Sequence, residues 1–404
     1  MQNKLKIIND PVHGFIKIPY EILFDVIEHP YFQRLRRISQ TGLLSLIFPG
    51  ATHTRFHHAL GAMHLMFTAL ETLKLKSVAI SEEEEKSAML AILLHDVGHG
   101  PFSHALENML MDNWHHEKLS LLLMDKLNDA FDGQLSMAIK MFKGEYPRKF
   151  FNQLISSQLD VDRLDYLKRD SFYTGVSEGN VNTQRIISMM NVAGDELVID
   201  DKGIYSIENF LTARMFMYWQ VYFHKTAAIA EHLLVKILER AKYLYRKGVK
   251  LPASPNLQYF LDKQSFAEVS EDDIQRFTEL DDNDVLQAMK FWTKSEDTVL
   301  SYLCSCIVLR RFPKTLISSD SFSEELIQQK AELANQHFQT EEGAQLVHHV
   351  SRSLFPYIRD GGNISLLRNN GEVIPLESSP NQILTSSILE ENTKYIFSYP
   401  REIR

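Results

Sequence analysis

Four residues that can bind a metal ion or carry a proton lie within ten positions of one another: His95, Asp96, His99 and His104. They follow the apolar run "AILL" at 91–94, which predicts that the first two stand at the end of a buried helix. Adjacent side chains on a helix project about 100° apart, so both can reach one ion beyond the helix end. Imidazole and carboxylate ligands together suit Zn, Fe, Mn, Co or Ni.

Two ligands do not complete a metal site, so further ligands must come from other segments. The segments "TRFHHALGAMH" and "SSQLDVDRLDYLKRD" offer His57, His58, His64, Asp160, Asp162, Asp165 and Asp170. A mixed nitrogen–oxygen site with positions left for water generates a hydroxide nucleophile and polarises a phosphoryl oxygen. From two ligands alone, a purely structural, hydrogen-bonded histidine is an equally good interpretation. The density of histidines favours a metal or phosphate site, because buried imidazoles without partners are costly.

Composition and charge limit the classes of protein to consider. The chain has 404 residues, of which 44% are hydrophobic and 24% charged, as in a soluble globular protein with one large domain or two smaller ones. A net charge of −9 disfavours nucleic acid as the partner, although local basic patches stay compatible with it. Cys304 and Cys306 are too few for a disulfide framework and fit a reducing compartment. With no apolar leader and no membrane span expected, we predict a cytoplasmic protein.

The hydrophobic pattern predicts a mainly helical fold. The segment "KLKIINDPVHGFIKI" predicts a short N-terminal hairpin, and the helical pattern from Glu21 is interrupted at Pro30. A long helix is expected in "TRFHHALGAMHLMFTALETLKL", and a capping box at Ser81 opens a helix that ends near Gly98. Further helices are expected at 117–127, 148–167 and 207–245, with a hairpin in "GDELVIDDKGIYSI".

The last third of the chain changes character. Residues 250–345 read as more helices, and "NISLLRNNGEVIPL" and "KYIFSYP" predict strands around an Asn-Gly turn. We therefore predict two regions: a helical catalytic core over residues 1–250, and a smaller C-terminal α+β region over residues 251–404. The two cysteines fall on a predicted helix, where core packing explains them.

Several motifs occur in an order that resembles one known family. They are "NDPVHGFI", "PYFQRLRRISQTG", "FPGATHTRFHHALG", "LLHDVGHGPFSH", "WHHE", "LDVDRLDYLKRDS" and "YFHK". This order is similar to that of the HD-domain metal-dependent phosphohydrolases, in the branch of the deoxynucleoside triphosphate triphosphohydrolases. The resemblance covers about residues 5–240 and implies an HD-domain helical fold. It also implies that His58, His95, Asp96 and Asp162 hold the metal.

The resemblance also implies roles on the phosphate side of the site. Arg55 matches an arginine that contacts the substrate phosphates. His99, His104 and His116 match histidines that line the phosphate channel, one of which acts as acid toward the leaving oxygen. Our first choice is His116, since Glu117 matches the acid that orients such a histidine.

Further roles follow for the remaining phosphate and sugar contacts. The residues that would supply phosphate charge are Arg163, Arg214 and Lys225, although from the residues alone the two arginines are also explained as surface charges. The residues around the sugar are Gln40, Tyr166, Asp170 and Tyr222, where Tyr166 would exclude a ribose 2′-hydroxyl and Gln40 would read the 3′-hydroxyl. Thr41 and Phe223 depart from the vertebrate pattern near the base or sugar, so the preferred base stays open.

Vertebrate members of the branch have a regulatory nucleotide site built from the N-terminal hairpin and the following helix. The residues that match it are Lys6, Asn9, Gln33 and Arg36, while Glu28 replaces an aspartate that reads guanine there. The resemblance thus implies a nucleotide activator as well as a substrate.

The resulting expectation is metal-dependent hydrolysis of deoxynucleoside triphosphates to deoxynucleoside and tripolyphosphate. It requires one divalent transition metal (Fe, Mn, Zn, Ni or Co), with Mg²⁺ accompanying the substrate phosphates. No membrane partner is expected, and the family implies a homo-oligomer, a dimer or tetramer. Two alternatives stay open: an HD phosphohydrolase that acts on a nucleoside monophosphate or an alarmone, and a non-catalytic protein that senses nucleotides or binds nucleic acid.

Overall fold

A computed structural model gives the structure of the chain. It describes residues 6–107, 109–111, 113–263, 265–266, 268–354, 364–383 and 392–403, without the side chains of His104, Leu354 and Asn392. Within these residues the chain forms sixteen α-helices, a two-stranded hairpin and two small sheets, which confirms the mainly helical prediction. None of the described helices combines the length and the apolar character that crossing a membrane requires.

The N-terminal elements follow the sequence pattern closely. Strands β1 (Lys6–Asp10) and β2 (Gly14–Ile18) pair as the predicted antiparallel hairpin. Helix α1 (Glu21–Glu28) ends before Pro30, which is the first residue of the short helix α2 (Pro30–Gln33). Proline is favoured at this position because its missing N–H would have no partner in the helix.

Two long helices form the centre of the core. They are α3 (Arg55–Leu75) and α4 (Glu82–Leu94), which pack against each other. The predicted capping box is present: Ser81 Oγ accepts from the amide of Glu84, and the Glu84 carboxylate accepts from the amide of Ser81 at 2.8 Å. Helix α4 ends at Leu94, earlier than the predicted end near Gly98, whose amide bonds instead to Ser120 Oγ at 2.9 Å.

The predicted helix at 148–167 is wrong, since two helices with a turn between them occupy this stretch. Asp160 makes the break: its Oδ2 accepts from the amide of Ser157 and its Oδ1 from that of Arg163, both at 2.7 Å. An aspartate in this position caps a new helix rather than continuing the old one. The helices of this part are α5 (His116–Ala130), α6 (Ser136–Phe142), α7 (Lys149–Ile155) and α8 (Val161–Thr174).

The predicted helix at 207–245 is also divided. A π-helical turn, Tyr218–Tyr222, separates two helices, and His224 Nδ1 caps the second by accepting from the amide of Thr226 at 3.3 Å. The hairpin in this part lies a few residues earlier than predicted, because helix starts at Ile204. The elements are α9 (Thr183–Met189), β3 (Met190–Ala193), β4 (Glu196–Asp200), α10 (Ile204–Met217) and α11 (Lys225–Arg246).

The C-terminal part is α+β, as predicted. Its helices are α12 (Pro255–Asp262), α13 (Glu271–Glu279), α14 (Asp282–Trp292), α15 (Thr298–Val308) and α16 (Glu324–Phe338). Its strands are β5 (Lys314–Ser318), β6 (His348–Leu354), β7 (Ser365–Leu367), β8 (Val373–Pro375) and β9 (Asn392–Tyr399).

Strands β7 and β8 pair across the predicted Asn-Gly turn, and β7 also pairs with β4. Strands β5 and β6 flank β9 and were not predicted. Both cysteines are buried in α15.

Candidate metal centre and its cavity

The four predicted metal ligands come together from two helices and from the residues that follow a third. His58 lies on α3, His95 and Asp96 directly follow α4, and Asp162 lies in the first turn of α8. His58 Nε2 is 3.4 Å from His95 Nε2 and 3.0 Å from Asp162 Oδ1, and Asp96 Oδ1 is 3.3 Å from His95 Nε2. The ligand atoms of His58, His95 and Asp162 all lie within 4.8 Å of one another, so these three residues form a group that fits a divalent transition metal. Asp96 lies at the edge of this group, with its Oδ2 paired to Arg55.

A second layer of residues orients the histidines. His58 Nδ1 lies 2.8 Å from Asp165 Oδ2, while His95 Nδ1 lies 2.6 Å from the carbonyl oxygen of Ile92. Each histidine thus has its Nδ1 engaged, which leaves Nε2 directed at the cluster.

Asp165 is itself held from two sides. Arg169 Nε donates to it at 2.9 Å, and Nε2 of His13, in the turn of the N-terminal hairpin, lies 2.6 Å from it. A Cβ on Gly61 would stand 2.0 Å from Asp165 Oδ1, so only glycine allows α3 to approach this close. Sequence reasoning did not anticipate His13 or Arg169, since nothing near them in the chain marks this contact.

The electrostatics of the cluster favour a bound cation. Burial disfavours a charged His58, but its contacts with Asp162 and Asp165 outweigh burial and raise its pKa to about 10. Burial also opposes charge on Asp162, yet His58 and His95 hold the pKa of that carboxyl below its usual range. The carboxylates of Asp162 and Asp165 therefore stabilise a positive charge between them. A metal ion can supply this charge by displacing the proton of His58.

The phosphate-side residues adjoin the cluster. Arg55 is buried, makes an ion pair with Asp96 and donates from Nε to Ser103 Oγ at 2.6 Å. His99 Nε2 lies 3.2 Å from Asp96 Oδ1, and its ring stacks on that of His116 with centroids 4.0 Å apart. Burial and the nearby Arg55 hold the pKa of His99 well below its ordinary value, so His99 is neutral at pH 7.

The carboxylate that orients His116 is Glu107, not the expected Glu117. His116 Nδ1 lies 2.5 Å from Glu107 Oε1, and the His116 amide donates to the same oxygen at 2.7 Å. Neighbouring side chains in the first turn of α5 diverge, so Glu117 lines the adjoining cavity instead. The one sequence signal for Glu107 was its place three residues after His104. The side chain of His104 lies outside the described residues.

A cavity of about 700 Å³ opens beside the cluster. The predicted residues on its wall are Gln40, Arg55, His95, Asp96, His99, His116, Glu117, Asp162, Arg163, Tyr166, Asp170 and Tyr222. Thr41 and Phe223 also line it, as does Glu231, which was not predicted. The structure does not bring Arg214 and Lys225 to this wall. Arg214 is buried with Nη1 3.3 Å from Gln158 Oε1, and Lys225 is exposed at the start of α11.

The cavity wall holds both fixed and unsatisfied polar groups. Tyr222 donates to Asp170 Oδ2, and His53 Nε2 lies near Asp170 Oδ1, both at 2.6 Å, so this carboxylate is held in place. By contrast, Gln40 Oε1 and Thr41 Oγ1 are buried without a partner among the described residues. Buried polar atoms normally have partners, so these two are suited to bind a ligand.

The five residues of the expected regulatory site lie on the hairpin and on or just after α1 and α2. Arg36 Nε donates to Gln33 Oε1 at 2.8 Å, and Lys6 stands over the ring of Phe24. Asn9 and Glu28 are exposed. A nucleotide site on this surface stays a prediction.

Comparison with known proteins agrees with this geometry. A family model described as the HD domain matches residues 55–170, and a second, described as an HD associated region, matches residues 181–249. The chain is 34% identical over 314 residues to the uncharacterised protein YwfO of Bacillus subtilis, covering 76% of this chain and 70% of the relative. It is 32% identical to a deoxynucleoside triphosphate triphosphohydrolase SAMHD1 homolog of Dictyostelium discoideum, covering 58% of this chain and 49% of that protein.

Solved structures extend the likeness to nearly the whole chain. A phosphohydrolase from Bacteroides thetaiotaomicron superposes with a TM-score of 0.95 at 45% identity, covering 98% of this chain and 100% of that one. A hypothetical protein from Aquifex aeolicus gives a TM-score of 0.72 at 28% identity, covering 99% and 97%. The chain spans about half the length of the Dictyostelium relative. The chain thus belongs to the HD-domain phosphohydrolase family, and its relatives include deoxynucleoside triphosphate triphosphohydrolases.

Proposed function

We propose that this protein hydrolyses deoxynucleoside triphosphates to deoxynucleoside and tripolyphosphate. The observation that carries the proposal is that one cavity is lined both by three of the four proposed metal ligands with Arg55 and by the aromatic and amide groups of Tyr166, Tyr222 and Gln40. The first set suits a phosphate chain, and the second suits a nucleoside. Relatives with this activity by name support the same substrate class.

A metal ion and the two arginines on the cavity wall would balance the negative charge of the phosphates. His58, His95, Asp96 and Asp162 would hold a divalent transition metal, for which Fe, Mn, Zn, Ni and Co are the candidates. Such an ion supplies Lewis acidity for phosphoryl transfer. A triphosphate carries about four negative charges, so a protein with net charge −9 must gather cations locally, and Arg55 and Arg163 lie on the cavity wall.

His116 would act as the general acid. A water oxygen forms a bond to the α-phosphorus, and the bond from that phosphorus to the sugar 5′ oxygen breaks. His116 donates a proton to this oxygen, while Glu107 Oε1, 2.5 Å from His116 Nδ1, fixes the orientation of the ring. Neutral His99 stacks on the same ring and limits its rotation. The attacking water releases a proton to solvent and solvent reprotonates His116, so the nucleoside and tripolyphosphate account for all atoms of the substrate and water.

The sugar would be read by the groups on the nucleoside side. Gln40 Oε1 has no partner among the described residues and can accept a hydrogen bond from a 3′-hydroxyl. Tyr166 is held beside Tyr222, with ring centroids 6.5 Å apart, and would leave no room for a 2′-hydroxyl. The same proposal includes a nucleotide activator and assembly into a homo-oligomer, a dimer or tetramer.

A substrate panel tests the proposal. Protein loaded separately with Mn²⁺, Fe²⁺, Co²⁺, Ni²⁺ and Zn²⁺ is incubated with the four deoxynucleoside triphosphates, the four ribonucleotides, nucleoside monophosphates and an alarmone. We expect tripolyphosphate from the deoxynucleotides, separated by ion exchange. Turnover confined to monophosphates or the alarmone would replace the proposed substrate. Tight nucleotide binding without turnover under every metal would favour a sensor.

A further inference from the structure

The start of α14 contacts two loops of the proposed active site. The Asp282 carboxylate accepts from the amide of Ser39 with Oδ2, at 2.8 Å, and from the amide of Phe102 with Oδ1, at 2.7 Å. Asp282 is only 8% exposed. One carboxylate from the C-terminal part of the chain thus joins the loop before α3 to the loop after α4.

A second contact joins the same parts of the chain. Buried Arg34 donates from Nη2 to the carbonyl oxygen of Val97, at 2.8 Å, and from Nη1 to that of Leu280, at 3.4 Å. The guanidinium also stands over the ring of Phe277. The end of α13 and the start of α14 therefore pack on the loop that follows the metal ligands His95 and Asp96.

This loop has a backbone that needs support. Phe102 and Ser103 are consecutive non-glycine residues with φ of 51° and 53°, in the left-handed region. Such conformations cost free energy and persist only where surrounding contacts hold them. The hydrogen bond from the Phe102 amide to Asp282 is a contact of this kind.

The two supported loops in turn position Arg55, a proposed phosphate-binding residue. Ser103 Oγ accepts from Arg55 Nε at 2.6 Å and donates to the carbonyl oxygen of Ser39 at 3.3 Å. Both serines belong to the loops that Asp282 joins. Gln40, with its unsatisfied Oε1, is the next residue after Ser39.

We propose that Asp282 is a positioning residue that sets the placement of Arg55 and Gln40 through the two loops. The proposal rests on the proposed function, and it names a residue outside the two segments that match the family models. Burial raises the pKa of Asp282 to about 6, so at pH 7.5 the carboxylate is ionised and both oxygens accept.

The variant Asp282→Asn tests this chemistry with little change in size. An amide keeps one acceptor and turns the other oxygen into an NH₂ donor, which then faces a backbone N–H. One of the two loops therefore loses its partner. The matched control is Asp284→Asn on the same turn of α14, because among the described residues the hydrogen bond that Asp284 accepts comes from within that turn, from the amide of Asp281 at 2.9 Å.

At pH 7.5 we expect Asp282→Asn to bind metal like the wild type and to lose at least ~10-fold in kcat/KM, since small misplacements of positioned groups carry penalties of this size. The control should stay within about twofold of wild type. In the Ser103→Ala background the Asp282→Asn penalty should shrink to about twofold, because the path to Arg55 is already broken. Two results would overturn the proposal. One is a double variant whose loss in kcat/KM equals the product of the two single losses. The other is a loss in Asp282→Asn that matches its unfolded fraction.

Two measurements test the role of Asp282 without depending on nucleotide hydrolysis. Asp282→Asn should weaken binding of inorganic tripolyphosphate several-fold by calorimetry, and should speed amide hydrogen exchange in peptides covering residues 39–42 and 98–103. Asp284→Asn should do neither. If no nucleotide is turned over, the proposed function fails while these two results still decide the role of Asp282. Unchanged affinity and exchange in Asp282→Asn contradict it.

Discussion

Two buried histidines in different parts of the molecule have opposite electrostatics. His58, in the metal centre, faces Asp162 and Asp165, and its pKa is raised to about 10. His348, in β6, packs against His232 with ring centroids 5.0 Å apart, and burial lowers its pKa to about 3. Both histidines are buried, so the carboxylates near His58 account for the difference between the two pKa values. A buried histidine marks a cation site only where acidic groups surround it.

The same contrast explains why sequence alone could not separate the histidine pairs. The chain has three pairs of adjacent histidines that look alike, and each lies at or near the start of a helix or strand: His57–His58, His115–His116 and His348–His349. Only the first two pairs place a ring next to a carboxylate in the proposed active site. The experiments below test this division, from the largest expected effect to the smallest.

Removing one charge from the metal centre should have the largest effect. Asp96→Asn keeps the shape of the side chain but replaces an anionic ligand that also pairs with Arg55. A bound metal would supply several kcal/mol of transition-state stabilisation, so we expect a rate loss of ~10³-fold or more. Metal content by plasma mass spectrometry should fall in parallel.

Asp125→Asn, on the exposed face of α5, is the matched control and should retain full metal and rate. Stoichiometric metal and unchanged turnover in Asp96→Asn would remove this residue from the ligand set.

The second pair of histidines offers an internal control. His116→Ala should lose ~10²-fold, mostly in kcat, while its metal content and Tm stay unchanged, as expected for a general acid. Glu107→Gln should lose less, since the ring keeps a hydrogen-bonding partner. His115→Ala should resemble wild type, because its side chain is 63% exposed. Should His116→Ala melt early and keep activity in proportion to its folded fraction, the histidine is structural.

Sugar discrimination should respond to the nucleoside side of the cavity. Tyr166→Ala removes the ring that would exclude a 2′-hydroxyl, so the ratio of ATP to dATP turnover should rise by about tenfold. Lys225→Ala, away from the cavity wall, should leave the ratio as it is in wild type. Equal hydrolysis of ATP and dATP by the wild type would show that Tyr166 is not a sugar gate.

The third pair should affect stability and not catalysis. The unfolded chain protonates His348 near pH 6.5, whereas the folded chain does so only near pH 3, so stability is lost as pH falls from 6.5 toward 3. From pH 7 to pH 5 this amounts to about 2 kcal/mol in the free energy of unfolding. Urea unfolding at both pH values should show that His348→Gln reduces this loss. His349→Gln, at an exposed position, should not, and an equal pH dependence in both variants would contradict the assignment.

What the sequence could predict depended on how local the signal is. The proposed metal ligands lie at helix ends whose apolar patterns are visible in the chain, so their convergence was predictable once the family pattern was seen. The helix breaks at Asp160 and at the π-turn before Lys225 were missed because capping by one side chain overrides a continuous apolar pattern. Glu107, His13 and Asp282 were missed because each acts on a segment distant in the chain or through an irregular loop.

The most direct test of the central claim follows the oxygen atom of water. Metal-loaded protein is given dATP in ¹⁸O-labelled water, and the products are separated and analysed by mass spectrometry. Attack at the α-phosphorus predicts one ¹⁸O atom in tripolyphosphate and none in deoxyadenosine, with ~10³-fold less product per unit time from Asp96→Asn. Release of orthophosphate or pyrophosphate, or label in the nucleoside, would contradict the account.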